Sequence, residues 1–378
     1  MSAVAARSAL ILSACFLVGG LGVGTWGANL PALARRAQLD ESGIGLVLLV
    51  FAACAILAMN RAPRMMARAG AERVSVISAG LFGMGIASVG LVTQIGVAMA
   101  VAGFCGLTFG TLDVTMNSRA AELEARAGRP IMSRFHAMFS GGTLLGALLY
   151  AGLAHAGASS PAILALSGAA ITAVAVAAFL PTTPPAPAAA RQTREASTAR
   201  PGRLALTLGL LAFVIFMTEG AIMDWGAVYL VRLLGTTESM GAAGYAFFAA
   251  AMLLGRLVGD HANRILGPLR LFQLSMALVV LAMAVFLAAG SAGLAMGALA
   301  LFGLGMANVI PLIFSAAGRL GAGDGGRSLS RVLTMGYAGI LLGPALIGFI
   351  AELSSLRISL GLVLLAVILA SFSGRLIR

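Results

Sequence analysis

Asp113 and Asn117 stand four residues apart at the end of a segment that is almost wholly apolar from Ile95 to Met116. On a helix this spacing sets a carboxylate and a carboxamide on one face. Carrying an ionised side chain at the middle of a bilayer costs about 3 kcal/mol on insertion scales, so an acid kept there marks an ion or substrate pathway. The chemistry it offers is uptake and release of a proton, because a carboxyl shielded from cations can cross as the neutral acid. A permanent ion pair with Arg134, on the next apolar segment, is the structural alternative.

Ser133, His136, Ser140 and Thr143 follow at steps of three, four and three, a polar stripe on an otherwise apolar helix. Such a stripe faces a cavity or a neighbouring helix. His136 titrates near neutrality and can relay a proton or hydrogen-bond a polar substrate, or serve only in packing. A later segment carries Glu219 and Asp224. Five residues turn a helix by about 140°, so the two acids face different sides unless Gly220 distorts the segment.

Trp26 and Trp225 offer a flat apolar face and one donor, suited to the apolar side of a sugar ring; the competing role is an interfacial belt. Asn29 and Asn308 are carboxamides able to bind hydroxylated ligands, although Asn308 with Pro311 can instead accommodate a kink. Tyr245, Phe248 and Met252 share one helical face and read as packing. No metal-ligand cluster, phosphate-binding glycine loop or nucleophile triad is recognisable, so neither an enzyme nor a cofactor is expected.

The elements that must hold these residues follow from composition. The chain has 378 residues, 60% hydrophobic and 10% charged, with a mean hydropathy of +1.00. Soluble domains are about 25% charged, so this is a polytopic membrane protein, all-α. The net charge of +12 does not imply nucleic acid, since no stripe of basic and aromatic residues accompanies it. Cys15, Cys54 and Cys105 lie in apolar runs and imply no disulfide framework. The first apolar run is too long for a signal peptide and reads as a membrane span.

A span needs about 20 apolar residues. Twelve candidates result, over 8–33, 43–62, 72–92, 96–120, 131–154, 160–181, 204–231, 239–260, 268–290, 292–317, 328–352 and 355–375. A proline-rich, arginine-bearing stretch over 182–203 reads as a flexible cytoplasmic connector between six-helix bundles at 1–181 and 204–378. With the amino terminus inside, all but four of the 25 basic residues fall at or near the cytoplasmic side; the four are Arg35, Arg36, Arg232 and Arg357. The positive-inside rule therefore places both termini in the cytoplasm.

An internal repeat underlies this plan. Ser133-Arg134 through Gly146 matches Ser330-Arg331 through Gly343 at an offset of 197 residues, and the same offset pairs Phe51 with Phe248 and Gly106 with Gly303. A shift of two more residues aligns Trp26-Gly27-Ala28 with Trp225-Gly226-Ala227. The halves are copies in parallel orientation.

Two parallel six-helix copies resemble the major facilitator superfamily over essentially the whole chain. Trp26 to Pro31, Asp113 with Asn117, and Arg134 with His136 and Ser140 resemble the bacterial branch near fucose/proton symporters. The superfamily's cytoplasmic loop signature is recognisable as Gly255-Arg256 through Gly259-Asp260 to Arg264, whereas its first copy is degraded to Met59-Asn60-Arg61-Ala62-Pro63-Arg64. The resemblance implies a monomer in the bacterial inner membrane that moves a small solute by rocking of its halves around a central site. Its partners would be the solute, protons and the lipid bilayer. Proton coupling is expected at Asp113, Glu219 and His136, and solute binding at Trp26, Asn29, Asn117, Asp224, Trp225 and Asn308. Gating is expected at Arg134, Arg256, Asp260 and Arg331. The fucose branch also carries an acid on span one, which is missing here. The leading expectation is proton symport of a sugar-like solute; the alternative is proton-driven export of amphiphilic compounds or drugs.

Overall fold

The structure is a computed structural model that describes residues 3–127, 132–179, 202–321 and 327–377. Helices joined by short turns make up these residues, with no strand among them. Twelve helices are long and apolar enough to cross a membrane, as expected: Ala6–Arg36, Glu41–Ala69, Ala71–Val89, Ile95–Ala120, Arg134–His155 and Ser160–Phe179, then Arg203–Arg232, Glu238–Gly259, His261–Ala288, Ala292–Gly318, Arg331–Leu353 and Leu356–Ile377. They are numbered here as spans one to twelve. Helices prevail because a backbone crossing hydrocarbon must satisfy its own hydrogen bonds. Their outward faces carry exposed Leu166, Leu254, Leu281 and Leu365, which suits a lipid surround.

Local signals punctuate the run. Thr237, Ser291 and Ser355 precede spans eight, ten and twelve and each accepts the backbone N–H three residues on. This satisfies one free donor at each helix start. Asp40 does the same for span two, accepting from Gly43 N–H at 2.7 Å, and that bond holds its carboxyl below the ordinary value. Near the start of span nine the helix is broken at Gly267, at φ 74° and ψ 161°, a conformation that favours glycine. Span ten is interrupted at Ala307 and Asn308, between helices Ala292–Met306 and Val309–Gly321.

Two compact units emerge, one of Met1–Leu39 with Val50–Arg194 and one of Asp40–Leu49 with Glu195–Arg378. The beginning of span two thus groups with the second unit, where Glu41 pairs with Arg232 at 2.7 Å and a Cβ on Gly348 would meet the Glu41 carbonyl at 2.7 Å. The bundle boundaries expected from sequence differ at this segment. Most of the expected connector, 182–203, lies outside the described residues.

Small residues set the contacts inside each unit. A Cβ on Gly106 of span four would lie 2.2 Å from the Phe51 carbonyl of span two, and one on Gly303 of span ten 2.3 Å from the Phe248 carbonyl of span eight. Likewise Gly142 seats span five on Leu17 of span one, and Gly339 seats span eleven on Phe213 of span seven. Only glycine permits so close an approach.

Candidate functional site

Span four presents Asp113 half-buried. Its partner is Asn117, whose Nδ2 donates to Asp113 Oδ1 at 3.1 Å and to the Asp113 carbonyl at 2.8 Å. The acid and amide four residues apart form one unit. No ion pair joins Asp113 to Arg134 among the described residues; Arg134 is exposed. The structural alternative of a fixed Asp113–Arg134 pair is therefore corrected: Asp113 carries only a neutral partner.

The arginine that does neutralise an acid on this side of the first unit is Arg119, two residues beyond Asn117. It lies 2.8 Å from Glu122 and 3.5 Å from Glu72 of span three. Ser8 of span one donates to Glu72 at 2.7 Å. Sequence reading missed this cluster because its members come from three spans and no local spacing joins them.

On span five, His136 is exposed and meets the ring of Phe16 edge-on at 5.6 Å. Ser140 and Thr143 are buried, and Thr143 donates to its own helix at Phe139 O. The side chain of Ser133 lies outside the described residues. Trp26 is buried against Phe51, ring centroids 5.3 Å apart. Asn29 is fully buried; its Oδ1 accepts from Tyr150 at 3.2 Å and from Ser160 at 2.7 Å. Arg36 completes the cluster, donating to Ser160 and to the Val89 carbonyl at 2.8 Å. Asn29 ties spans one, five and six together within the first unit.

In the second unit Trp225 is fully buried and its indole N–H donates to the Pro344 carbonyl at 2.9 Å. Its single donor is engaged inside the unit. Asn308 donates to the Gly255 carbonyl at 3.0 Å, and its Oδ1 occupies the space a Cβ on Gly259 would need. It docks interrupted span ten onto span eight.

Glu219 is buried and lies 3.7 Å from Arg256. Arg256 was expected in a loop signature with Asp260, whose side chain lies outside the described residues; among the described residues the arginine pairs with Glu219 of span seven. Arg331, the repeat counterpart of Arg134, is half-buried. Asp224 is half-buried, and no ion pair to it is found among the described residues. Tyr245 of span eight is buried with its hydroxyl unpartnered, and the charges of both Asp224 and Glu219 bear on it. Tyr245, read from sequence as packing, does stand with its ring edge-on to Phe248.

Chemically, the first unit offers an acid with an amide partner, and the second offers an acid beside a guanidinium, with a further acid and an unpartnered phenol on spans seven and eight. Such groups accept and donate hydrogen bonds to a hydroxylated solute and exchange protons. Among the described residues no group of three His, Cys, Asp or Glu side chains could hold a metal ion.

Comparison with known proteins bears on this arrangement. The Major Facilitator Superfamily model matches residues 12–344. An uncharacterised transporter of that type from Yersinia pestis is 32% identical over 368 residues, covering 95% of this chain and 93% of the relative. Membrane protein MosC of Rhizobium meliloti is 30% identical over 353 residues, covering 93% and 85%. Among solved structures, a mutant of the nucleoside transporter NupG superposes with a TM-score of 0.77 at 14% identity, covering 97% of this chain and 99% of that one. A bacterial homologue of the human lysosomal transporter Spinster gives 0.72 at 13% identity, covering 97% and 95%. At these identities the solved structures share the fold.

Proposed function

The chain belongs to the major facilitator superfamily, and on that premise we propose that it is a proton-coupled symporter of a small polyhydroxylated solute, working by alternating access. The observation that carries the reading is Asp113, an acid on a membrane span whose side-chain partner is the neutral Asn117. An unpaired carboxylate is expensive in hydrocarbon, so protonating Asp113 lowers the barrier to moving it away from water, and that step ties proton to solute. Asp224, with no ion pair among the described residues, and the unpartnered Tyr245 hydroxyl receive hydroxyls of the solute. Glu219 with Arg256 is the second place where a proton can be exchanged.

A sugar-like solute is supported by the resemblance to fucose/proton symporters, and the solved neighbour described as a nucleoside transporter extends the solute class to ribose-bearing compounds. On the placement of arginines, both termini face the cytoplasm of a bacterial inner membrane. The protein acts as a monomer in this reading.

The test is external pH in weakly buffered, de-energised vesicles containing the protein, with sugars, polyols, sugar acids and nucleosides added singly. Alkalinisation by one of them, lost in Asp113→Asn, is the expected result. Silence toward the whole panel from folded protein, together with protection of growing cells against unrelated amphiphilic cations, would replace symport with export.

A further inference from the structure

The first unit contains a recess of about 430 Å³ among spans two, three and four, whose lining includes neither Asp113 nor Asn117. Met65, Ile77, Leu81 and Leu107 form its exposed apolar walls. At its floor the Thr108 and Thr111 hydroxyls donate to carbonyls of their own helix, at 2.9 and 2.8 Å, so they offer no donor to a guest. From Val74 to Leu81 the recess follows span three for about 10 Å along the helix axis. Its volume is in the range of ligand pockets, roughly 300–1,000 Å³, and its exposed apolar walls belong to spans surrounded by acyl chains rather than water.

Arg68 lines the recess at the end where span two stops. Arg61 and Arg64 precede it at steps of three and four, on the same helical face, and all three are exposed. Arg73, just across the turn, has a buried Nε without a partner. The nearby acid, Glu72, is engaged by Arg119 and Ser8. A hydrocarbon-shaped groove thus ends in guanidinium groups that no carboxylate neutralises among the described residues.

We propose that this groove is a binding site for one anionic phospholipid, an acyl chain lying along span three and the phosphate held by Arg68 with Arg64. A guanidinium binds a phosphate oxygen pair with two parallel N–H donors, which a zwitterionic headgroup's ammonium opposes. The site uses none of the residues assigned to solute or proton and does not depend on the symport reading.

The experiment is native mass spectrometry of the purified full-length protein titrated with phosphatidylglycerol and with phosphatidylcholine. Wild type is expected to retain one phosphatidylglycerol in preference to phosphatidylcholine, and Arg68→Ala to lose about fivefold of that preference, the factor a single arginine gives at an anionic surface. Arg68→Lys, which keeps the charge and loses the paired donors, is expected to fall between wild type and Arg68→Ala. Leu81→Trp, a change on a lipid-facing wall that fills the groove, removes the retained lipid whatever its headgroup. Equal retention of the two lipids by wild type, or a preference unchanged in Arg68→Ala, overturns the proposal; so does a retained lipid that Leu81→Trp fails to displace.

Discussion

The two halves share a sequence pattern, and they differ most where polar side chains are buried. Gly106 approaches Phe51 as Gly303 approaches Phe248, with nearly the same clearance at positions 197 residues apart. At that same offset Asp113 faces Ile310 and Asn117 faces Phe314; Asp224, aligned through the two tryptophans, faces Thr25. Gly106 and Gly303, like Gly142 and Gly339, have kept their glycines where a Cβ would collide, whereas Gly110, also tight against the Ala55 carbonyl, gives way to Ala307. Polar positions are free to diverge once each half has its own set of partners. The comparison separates what holds the bundle together from what equips it to work.

The sharpest way to break this comparison is Asp113→Asn, expected to abolish uphill accumulation while leaving solute exchange intact. Uptake and counterflow measured in the same vesicles check it; accumulation equal to wild type would remove Asp113 from the coupling. Next in size, Gly106→Val and Gly303→Val are each expected to lower stability by roughly 1–3 kcal/mol through overpacking. Thermal unfolding in detergent should show matched losses, and a large loss in one variant only would end the claim that the halves are packed alike.

Tyr245→Phe sharpens the comparison from the other side. Deleting a buried, unpartnered hydroxyl is expected to leave stability unchanged or raised by about 1 kcal/mol, while solute affinity falls; the readouts are the melting temperature and a binding isotherm. Arg357→Ala, which removes a 3.1 Å bond to the Tyr229 hydroxyl, is expected to cost about 1 kcal/mol, as is Ser160→Ala in the other half.

The smallest effect belongs to Asp40→Ala, at most about 1 kcal/mol at neutral pH, the usual worth of a helix cap. Gly43 holds the Asp40 carboxyl below its ordinary value of about 3.9. Its contribution is thus present above that value and fades as pH falls through the lowered one. The gap between wild type and variant should close below about pH 4, as melting temperatures across a pH series would show.

Much of the architecture was legible because its signals are local. Runs of about 20 apolar residues define spans, and glycines repeated four apart mark the faces that meet. The Asp113–Asn117 pair was legible for the same reason, since both partners lie on one helix turn. Glu72, Arg119 and Ser8 were not, because they are brought together from three spans. Arg256 was legible only as part of a loop signature; that its long side chain also reaches back to Glu219 could not be read from spacing, because the acid lies on another span. Asn29 and Trp225 looked like ligand contacts by residue type, and only the positions of Ser160 and of the Pro344 carbonyl show where their hydrogen bonds go.

The clamps at the starts of spans six and twelve carry one more lesson. In the first half, Arg36 of span one reaches Ser160 of span six and the carbonyl of Val89. In the second half, position 357, the repeat equivalent of Ser160, is itself the arginine, and it reaches Tyr229 of span seven, whose hydroxyl donates to the carbonyl of Leu287. The cation has changed helix while the joint has stayed. Column by column, a serine aligned with an arginine records a loss of identity; as an edge in a network of helices, nothing was lost. Inheritance in a duplicated bundle is carried by pairs of elements, and a comparison made one position at a time will undercount it.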